Sequence, residues 1–300
     1  MEKVIIVGAG PAGISAALYA VRANMDPLVI NNGIGALEKA EKIENYYGLE
    51  HPLSGQELYD TGIAQAQALG VRIMQAQVLG VGGFDTFVVK TTEGDFETQS
   101  LILATGSKRA APKIPGIREF EGKGVSYCAI CDAFFYRGKD VAVLGNGDFA
   151  MHEAKELANT ASTVTIYTNG QEPEFALQEN ITVNTMKIQS VEGDEKVSGI
   201  RLAADIQIQE DAQQDFCPAD GVFIALGTAG STEIARQMGA ELTEKGNIKV
   251  NENMETTIPG LYAAGDCTGG LLQVAKAVYE GCQAGIHAAK YVRALNGKND

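Results

Sequence analysis

Three features of the sequence predict an α/β protein built twice from the same unit. The first is Gly8-Ala9-Gly10-Pro11-Ala12-Gly13, set between an apolar run at residues 4–7 and a stretch of helical spacing at 14–24. The second is Gly145-Asn146-Gly147-Asp148-Phe149-Ala150, set between the apolar run 141–144 and a helical segment at 151–158. The third is a pair of cysteines in Cys128-Ala129-Ile130-Cys131-Asp132, just ahead of the second turn. A glycine turn between a buried strand and a helix is the dinucleotide-binding arrangement. Its glycines let the backbone approach a pyrophosphate, and the helix N-terminus faces the anion. The expected fold class is α/β, with two dinucleotide-binding (Rossmann-like) three-layer domains, one inserted in the other.

The remaining elements can be read along the chain. Residues 27–30 supply the strand after the first helix and complete a βαβ unit. Residues 56–69 have helical spacing, and 78–92 alternate as a β-hairpin does. Leu101-Ile102-Leu103-Ala104-Thr105-Gly106 reads as a strand running into a turn of small residues, and the proline-bearing stretch 112–115 as a linker. After the second glycine turn and its helix come a strand at 163–167, alternating segments near 181–191 and 197–208, and a buried strand at 222–226. Residues 256–259 lead into Leu261-Tyr262-Ala263-Ala264-Gly265-Asp266, and a long helix over 273–295 closes the chain.

Composition narrows the class. Three hundred residues suffice for two domains with real cores, and 45% apolar against 21% charged residues is ordinary for a globular protein. The net charge of −14 argues against a general nucleic-acid binder or a protein of anionic membranes. No apolar run reaches the roughly 18–20 residues that span a bilayer. The apolar start contains a Gly-Pro turn and lacks the basic flank and cleavage site of a signal peptide, so it reads as strand, turn and helix. Five cysteines without a secretion signal point to a reducing cytosol, where a Cys-x-x-Cys pair is catalytic or metal-binding more often than structural.

The pair has three readings. As half of a zinc site it lacks the other half, because Cys217, Cys267, Cys282 and the three histidines have no ligand spacing. No metal is therefore expected. As a structural bridge it would close a very small loop and gain little. Redox chemistry is what remains, and Cys267 and Cys282 are expected to be buried small residues instead.

The order GAGPAG, LATG, CAICD, GNGDFA, AAGD and a terminal helix resembles low-molecular-weight bacterial thioredoxin reductases over essentially the whole chain. The resemblance implies an FAD domain at 1–111 and 242–300, split around an inserted pyridine-nucleotide-type domain at 112–241 that carries the cysteines. It implies FAD held by Gly8, Gly10, Pro11, Ala12, Gly13, Asn31, Ala104, Thr105, Gly106, Gly265 and Asp266, with Asn45 and Gln273 beside the isoalloxazine. The alternative for Asn45 and Gln273 is a helix cap or turn former. It further implies that Cys131 faces the flavin, that Cys128 attacks the disulfide of thioredoxin or a thioredoxin-like protein, and that Asp132 is the general acid–base for the leaving thiolate. A homodimer is implied as well.

The pattern breaks at the second nucleotide site. The family's NADPH form carries His-Arg-Arg and a further Arg after the second strand of the inserted domain. Here the stretch reads Tyr167-Thr168-Asn169-Gly170-Gln171-Glu172-Pro173-Glu174. A 2′-phosphate without those cations loses charge-assisted bonds of roughly 1.5–3 kcal/mol each. Asp148 inside the turn also opposes a pyrophosphate unless it points away. The family's Gly-Gly-Gln-Leu is Ile34-Gly35-Ala36-Leu37, and the Arg often found before the flavin-side Gln is Leu272. These losses resemble the branch that does not use NADPH, which includes ferredoxin-dependent flavin thioredoxin reductases. Around the cysteines, Lys108, Arg109, Lys113, Arg118, Lys123, Arg137 and Lys139 outnumber Glu119, Glu121, Asp132 and Asp140. That local charge fits either a face that steers an acidic protein or an ordinary solvated surface. Three rival readings remain beside a thioredoxin reductase with a ferredoxin-type donor: an NAD(P)H-dependent reductase with a divergent site, an FAD-dependent dithiol oxidase, and a flavin-binding electron carrier without a disulfide substrate.

Overall fold

The computed structural model describes residues 1–83, 86–106, 112–203, 215–227 and 230–297, with the backbone alone at Ile130 and Cys131. The chain divides into two units. One comprises Met1–Arg109 and Gly230–Asp300, the other Ala110–Ala229.

The first unit is built on a seven-stranded sheet. Glu2–Val7 lies between Leu28–Asn31 and Gly94–Leu103, parallel to both, and Arg72–Gln75 extends the parallel edge. Val4, Ile5 and Ile6 have no exposed surface, as expected of a parallel strand covered on both faces. The Gly94–Leu103 strand is long enough to serve two partners. Its first half pairs antiparallel with Phe87–Thr91, which pairs with Val78–Gly82 as the expected hairpin. Its apolar end, Leu101 to Leu103, lies between the opening strand and Leu261–Ala263. The Arg72–Gln75 strand carries no legible signal, because at the sheet edge its ends are polar and exposed.

The helix Pro11–Arg22 packs against the C-terminal helix Val274–Asn296 through small residues. A Cβ on Gly281 would lie 2.0 Å from the Ala12 carbonyl, and one on Gly285 2.3 Å from that of Ala16. The Ser15 hydroxyl donates to the Val278 carbonyl at 2.7 Å across this seam. The helix Gly55–Ala68 starts with a reciprocal cap, in which Glu57 accepts from the Ser54 backbone N–H and the Ser54 hydroxyl accepts from that of Glu57.

The second unit holds a five-stranded parallel sheet in the order Thr182–Asn184, Thr163–Tyr167, Asp140–Leu144, Gly221–Ile224, Val125–Ser126. The helix Asp148–Ala158 comes directly after the glycine turn. The alternating segments form a three-stranded antiparallel sheet of Ile188–Gly193, Val197–Leu202 and Phe216–Pro218; residues 204–208 of the expected second segment lie outside the described residues. The return to the first unit falls at Gly230, ahead of the expected 242. The reason is local. Ser231, which opens the helix Ser231–Gln237, exchanges hydrogen bonds with Thr105 of the first unit, from its backbone N–H to Thr105 Oγ1 at 2.8 Å and from the Thr105 N–H to its own Oγ at 3.1 Å. Among the described residues, no helix is long and apolar enough to cross a membrane.

Candidate active site

In the first unit the glycine turn sits where the opening strand meets the helix. Gly8 has φ +106, and a Cβ there would lie 2.4 Å from the Ala104 carbonyl oxygen. A Cβ on Gly13 would meet the Gly8 carbonyl at 1.8 Å, so this position fixes how closely helix and strand approach. Gly10 differs, because a Cβ there would have nothing within 4 Å. The chain's own packing thus demands the first and third glycines, and the second borders open space. Pro11 occupies the start of the helix, which has no side-chain cap and no acidic residue in its first turn. Uncapped N–H groups and the helix dipole suit an anion.

Asn31 ends the neighbouring strand with 1% exposure. Its Nδ2 donates to the Tyr59 hydroxyl at 2.5 Å, and its Oδ1 has no partner among the described residues. A buried, unpaired acceptor at this strand end suits a hydroxyl such as that of a ribose. Ala104 is tied to the opening strand by its N–H to the Val7 carbonyl at 2.8 Å, and Thr105 bonds Ser231 as described. Gly106 has open space over its Cα. Gly265 takes φ +86, with the place of its missing Cβ 3.0 Å from the Ala12 methyl. Its N–H donates to Glu280 Oε2 at 2.8 Å, and Lys276 Nζ donates to its carbonyl at 2.7 Å. Lys276 and Glu280 pair at 2.9 Å and share Thr268. Asp266 is next in the chain; burial raises its carboxyl, and the nearby Lys276 opposes that rise. Asn45 and Gln273, 228 residues apart, meet through a 3.1 Å hydrogen bond between their amides. Gln273 occupies the N-cap position of the C-terminal helix without capping it by its side chain. The sequence reading missed Tyr59, Ser231, Lys276 and Glu280, which no local motif marks.

In the second unit Cys128 is 1% exposed and disulfide-bonded. Ser126 organises the motif. Its hydroxyl donates to Asp132 Oδ2 at 2.6 Å and accepts from the Cys128 N–H at 3.1 Å. Phe134 and Phe135, a little further along, are 74% and 67% exposed. Lys123 and Lys139 line a surface pocket with Lys196, Phe135, Tyr136 and Asp220, whereas Lys108 and Arg109 lie outside the described residues. Cys267 is fully buried and its thiol is pushed up to about 12. Cys282 is only half-buried, because it lies on the side of the C-terminal helix that meets Tyr19.

The second glycine turn keeps the first one's logic. A Cβ on Gly145 would meet the Ala225 carbonyl at 2.2 Å and the Ala150 methyl at 2.8 Å, and Gly147 borders open space. Asp148 is exposed. Beyond the strand Thr163–Tyr167 the likeness ends. Thr168 is buried and its hydroxyl donates to the Gln171 carbonyl at 2.5 Å. Asn169, at φ +52, accepts the Ile188 N–H at 2.8 Å. The chain then turns back, and the Glu174 N–H donates to the Asn146 carbonyl, within the glycine turn, at 2.7 Å. One cation that the sequence reading missed comes close: the stem of Lys187 crosses Gly170, its Cγ 2.7 Å from where a Cβ would stand.

A glycine turn ready for a dinucleotide, with a cysteine disulfide beside a carboxyl in a second such unit, defines the class of flavin-dependent disulfide oxidoreductases. The chain belongs to the pyridine nucleotide-disulphide oxidoreductase family, matched over residues 2–281, and is an enzyme of thioredoxin reductase type. It is 36% identical to a thioredoxin reductase of Aquifex aeolicus over 98% of this chain and 94% of the relative. Among solved structures it resembles an atypical thioredoxin reductase, TRi, from Desulfovibrio vulgaris Hildenborough, with 38% identity, 98% and 99% coverage and a TM-score of 0.89. A ferredoxin-flavin thioredoxin reductase from Clostridium acetobutylicum gives 31% identity, 97% and 98% coverage and a TM-score of 0.70.

Proposed function

We propose that the chain binds FAD in its first unit and reduces the disulfide of thioredoxin, or of a thioredoxin-like protein, through Cys128 and Cys131, with a low-potential protein such as ferredoxin as donor. The residues of the first unit fit FAD. Gly8 to Gly13 offer the pyrophosphate an uncapped helix start, Asn31 offers an unpaired buried acceptor to the ribose, and Asp266 follows Gly265, whose N–H and carbonyl are fixed by Glu280 and Lys276. Asn45 and Gln273, joined through their amides, would border the ring. When bound, FAD would supply the carrier that takes electrons from the donor and passes them to the disulfide.

The residues of the second unit do the thiol chemistry. With the pair reduced, the Cys128 thiolate attacks the partner's disulfide, one partner sulfur leaves, and a mixed disulfide forms. Asp132, oriented by Ser126, passes a proton to the leaving sulfur. Cys131 then attacks Cys128, which closes the pair and frees the second partner sulfur to take its own proton. Two electrons leave the chain and two thiols appear on the partner. The motif counts against the reading as a mere flavin carrier, which has no need of it.

The observation that carries the donor reading is the segment after Tyr167. Thr168 and Asn169 are spent on local hydrogen bonds, and Glu174 is drawn onto the carbonyl of Asn146 in the glycine turn. The segment thus carries Glu172 and Glu174, and no lysine or arginine, where a 2′-phosphate would need cations. The similar ferredoxin-flavin thioredoxin reductase of Clostridium acetobutylicum supports the same donor class. One observation favours a second reading, an NAD(P)H-dependent reductase: the glycine turn is kept and Lys187 lies across Gly170. Anaerobic stopped-flow mixing decides between them. Reduced ferredoxin should bleach the flavin within seconds, with NADPH and NADH slow at micromolar concentration; fast bleaching by NADPH overturns the donor. Cys131→Ser should trap thioredoxin covalently through Cys128, and Cys128→Ser should trap none; the reverse pattern overturns the two cysteines' roles.

A further inference from the structure

Glu153 has no part in the chemistry above, yet it touches the redox pair. It lies on the helix Asp148–Ala158 with 1% exposure, and its Oε2 accepts the Ala129 N–H at 2.6 Å. That N–H belongs to the peptide joining Cys128 to Ala129. The other oxygen, Oε1, has no partner among the described residues. A carboxylate taken out of water with half its acceptors unpaired is costly, and it persists here against a buried disulfide. The groups around it do not neutralise it. On its own helix are the exposed Asp148 and Lys155, and Glu156 and His152, themselves 4.0 Å apart; the short helix Ala129–Asp132 brings Asp132, already held by Ser126. On the strands packed against the helix the ionisable residues are Asp140, bonded to Thr163 at 2.7 Å, and Tyr167. The lysine on this helix, Lys155, is exposed, and the charge that acts on Glu153 is that of Glu156.

We propose that Glu153 is a positioning residue for the Cys128 pair and stores the second proton of its reduction. The proposal rests on the reading of that pair as redox-active. Two electrons from the bound flavin break the S–S bond. One sulfur takes a proton and becomes a thiol, the other remains a thiolate, and the Glu153 carboxylate takes a proton and becomes neutral. Disulfide, carboxylate, two electrons and two protons thus become thiol, thiolate and carboxylic acid, with charge conserved. The new thiolate disfavours a second negative charge in the same buried space, which drives the uptake. When the partner oxidises the pair, Glu153 gives the proton back. Burial already pushes its carboxyl up to about 7, against the hydrogen bond from Ala129, so the exchange falls in the working range of pH.

The test is the pH dependence of the pair's potential in the FAD-loaded protein, titrated in dithiothreitol redox buffers from pH 6.5 to 9 with thiol labelling as readout. Glu153→Gln keeps an oxygen for the Ala129 N–H and removes the ionisation. Just above neutral pH the unaltered protein should take up one more proton per electron pair than Glu153→Gln. That is a tenfold steeper change in the equilibrium constant per pH unit, or about 30 mV. Parallel slopes overturn the proposal, including parallel slopes with a constant offset, which would leave Glu153 as a structural acceptor only. If the unaltered protein shows no reducible pair at all, the underlying reading of Cys128 falls instead. A measurement free of that variant is the reduced-minus-oxidised infrared difference spectrum at pH 7.5. A protonated carboxyl band should appear on reduction and persist in Asp132→Asn; its absence overturns the proposal.

Discussion

Among single residues, Glu153 and Ser126 carry the strongest consequences. A carboxyl that is harder to ionise in the folded than in the unfolded chain binds protons better when folded. Stability therefore falls as pH rises from the unfolded value of 4.5 through about 7, and is flat above. The cost at pH 8 is on the order of 3–4 kcal/mol, about 1.4 kcal/mol for each tenfold change in acidity. Glu153→Gln should thus raise the melting temperature at pH 8 and leave it nearly unchanged at pH 4.5; thermal unfolding at the two values checks this, and equal effects at both contradict it. Ser126 holds Asp132 and the Cys128 backbone with one hydroxyl. Ser126→Ala should lower thioredoxin turnover about tenfold, the equivalent of one lost hydrogen bond to a charged group. FAD content should not change. Wild-type turnover in Ser126→Ala would remove the serine from the proton path.

At the level of elements, the first glycine turn separates folding from binding. The clash of 1.8 Å at Gly13 is with backbone, so Gly13→Ala forces helix and strand apart and should leave little soluble protein. Gly10→Ala meets open space. Its apoprotein should melt within about 2 °C of wild type, a change below 0.5 kcal/mol, while FAD affinity falls at least tenfold. Flavin fluorescence titration of the two apoproteins tests the contrast. Normal FAD affinity in Gly10→Ala would mean that no pyrophosphate lies against that turn. The packing of Gly281 and Gly285 on Ala12 and Ala16 has the same origin: small residues bring two helices close enough for the Gly265-Asp266 turn to sit beside Ala12.

For the molecule as a whole, charge and assembly decide who can be met. The chain carries −14 overall, yet Lys123, Lys139 and Lys196 line one pocket beside the exposed Phe134 and Phe135. Three lysines against Asp220 in this pocket, with Asp194 and Glu195 on the adjoining surface in opposition, can steer acidic partners at a rate that salt screens over about 10 Å at 0.1 M. Raising sodium chloride from about 50 to 300 mM should slow the reaction with the protein partner severalfold, and Lys123→Glu with Lys139→Glu should flatten that dependence. A salt response unchanged by the double variant would put the docking face elsewhere. We also expect a homodimer, checked by sedimentation at twice the chain mass of 31.7 kDa; a monomer at micromolar concentration would refute it.

The features legible in the sequence are those that short stretches of backbone dictate. The two glycine turns, the strand before each and the helix after each were legible because a tight turn, a buried run and a helical period are all local demands. The CxxC with its aspartate was legible because thiol exchange needs a second sulfur and a proton source close in the chain. The lost cations after Tyr167 were legible because charge is read directly from residue type. The other features exist only in the folded chain. Folding joined Asn45 to Gln273 across 228 residues, and left one oxygen of Asn31 unpaired beside Tyr59. It set Lys276 and Glu280 around Gly265, drew Glu174 onto Asn146 and buried Glu153 against Ala129. No period or motif encodes such pairs, because a polar side chain acquires its role from where the fold removes its water, and burial is a property of distant segments brought together.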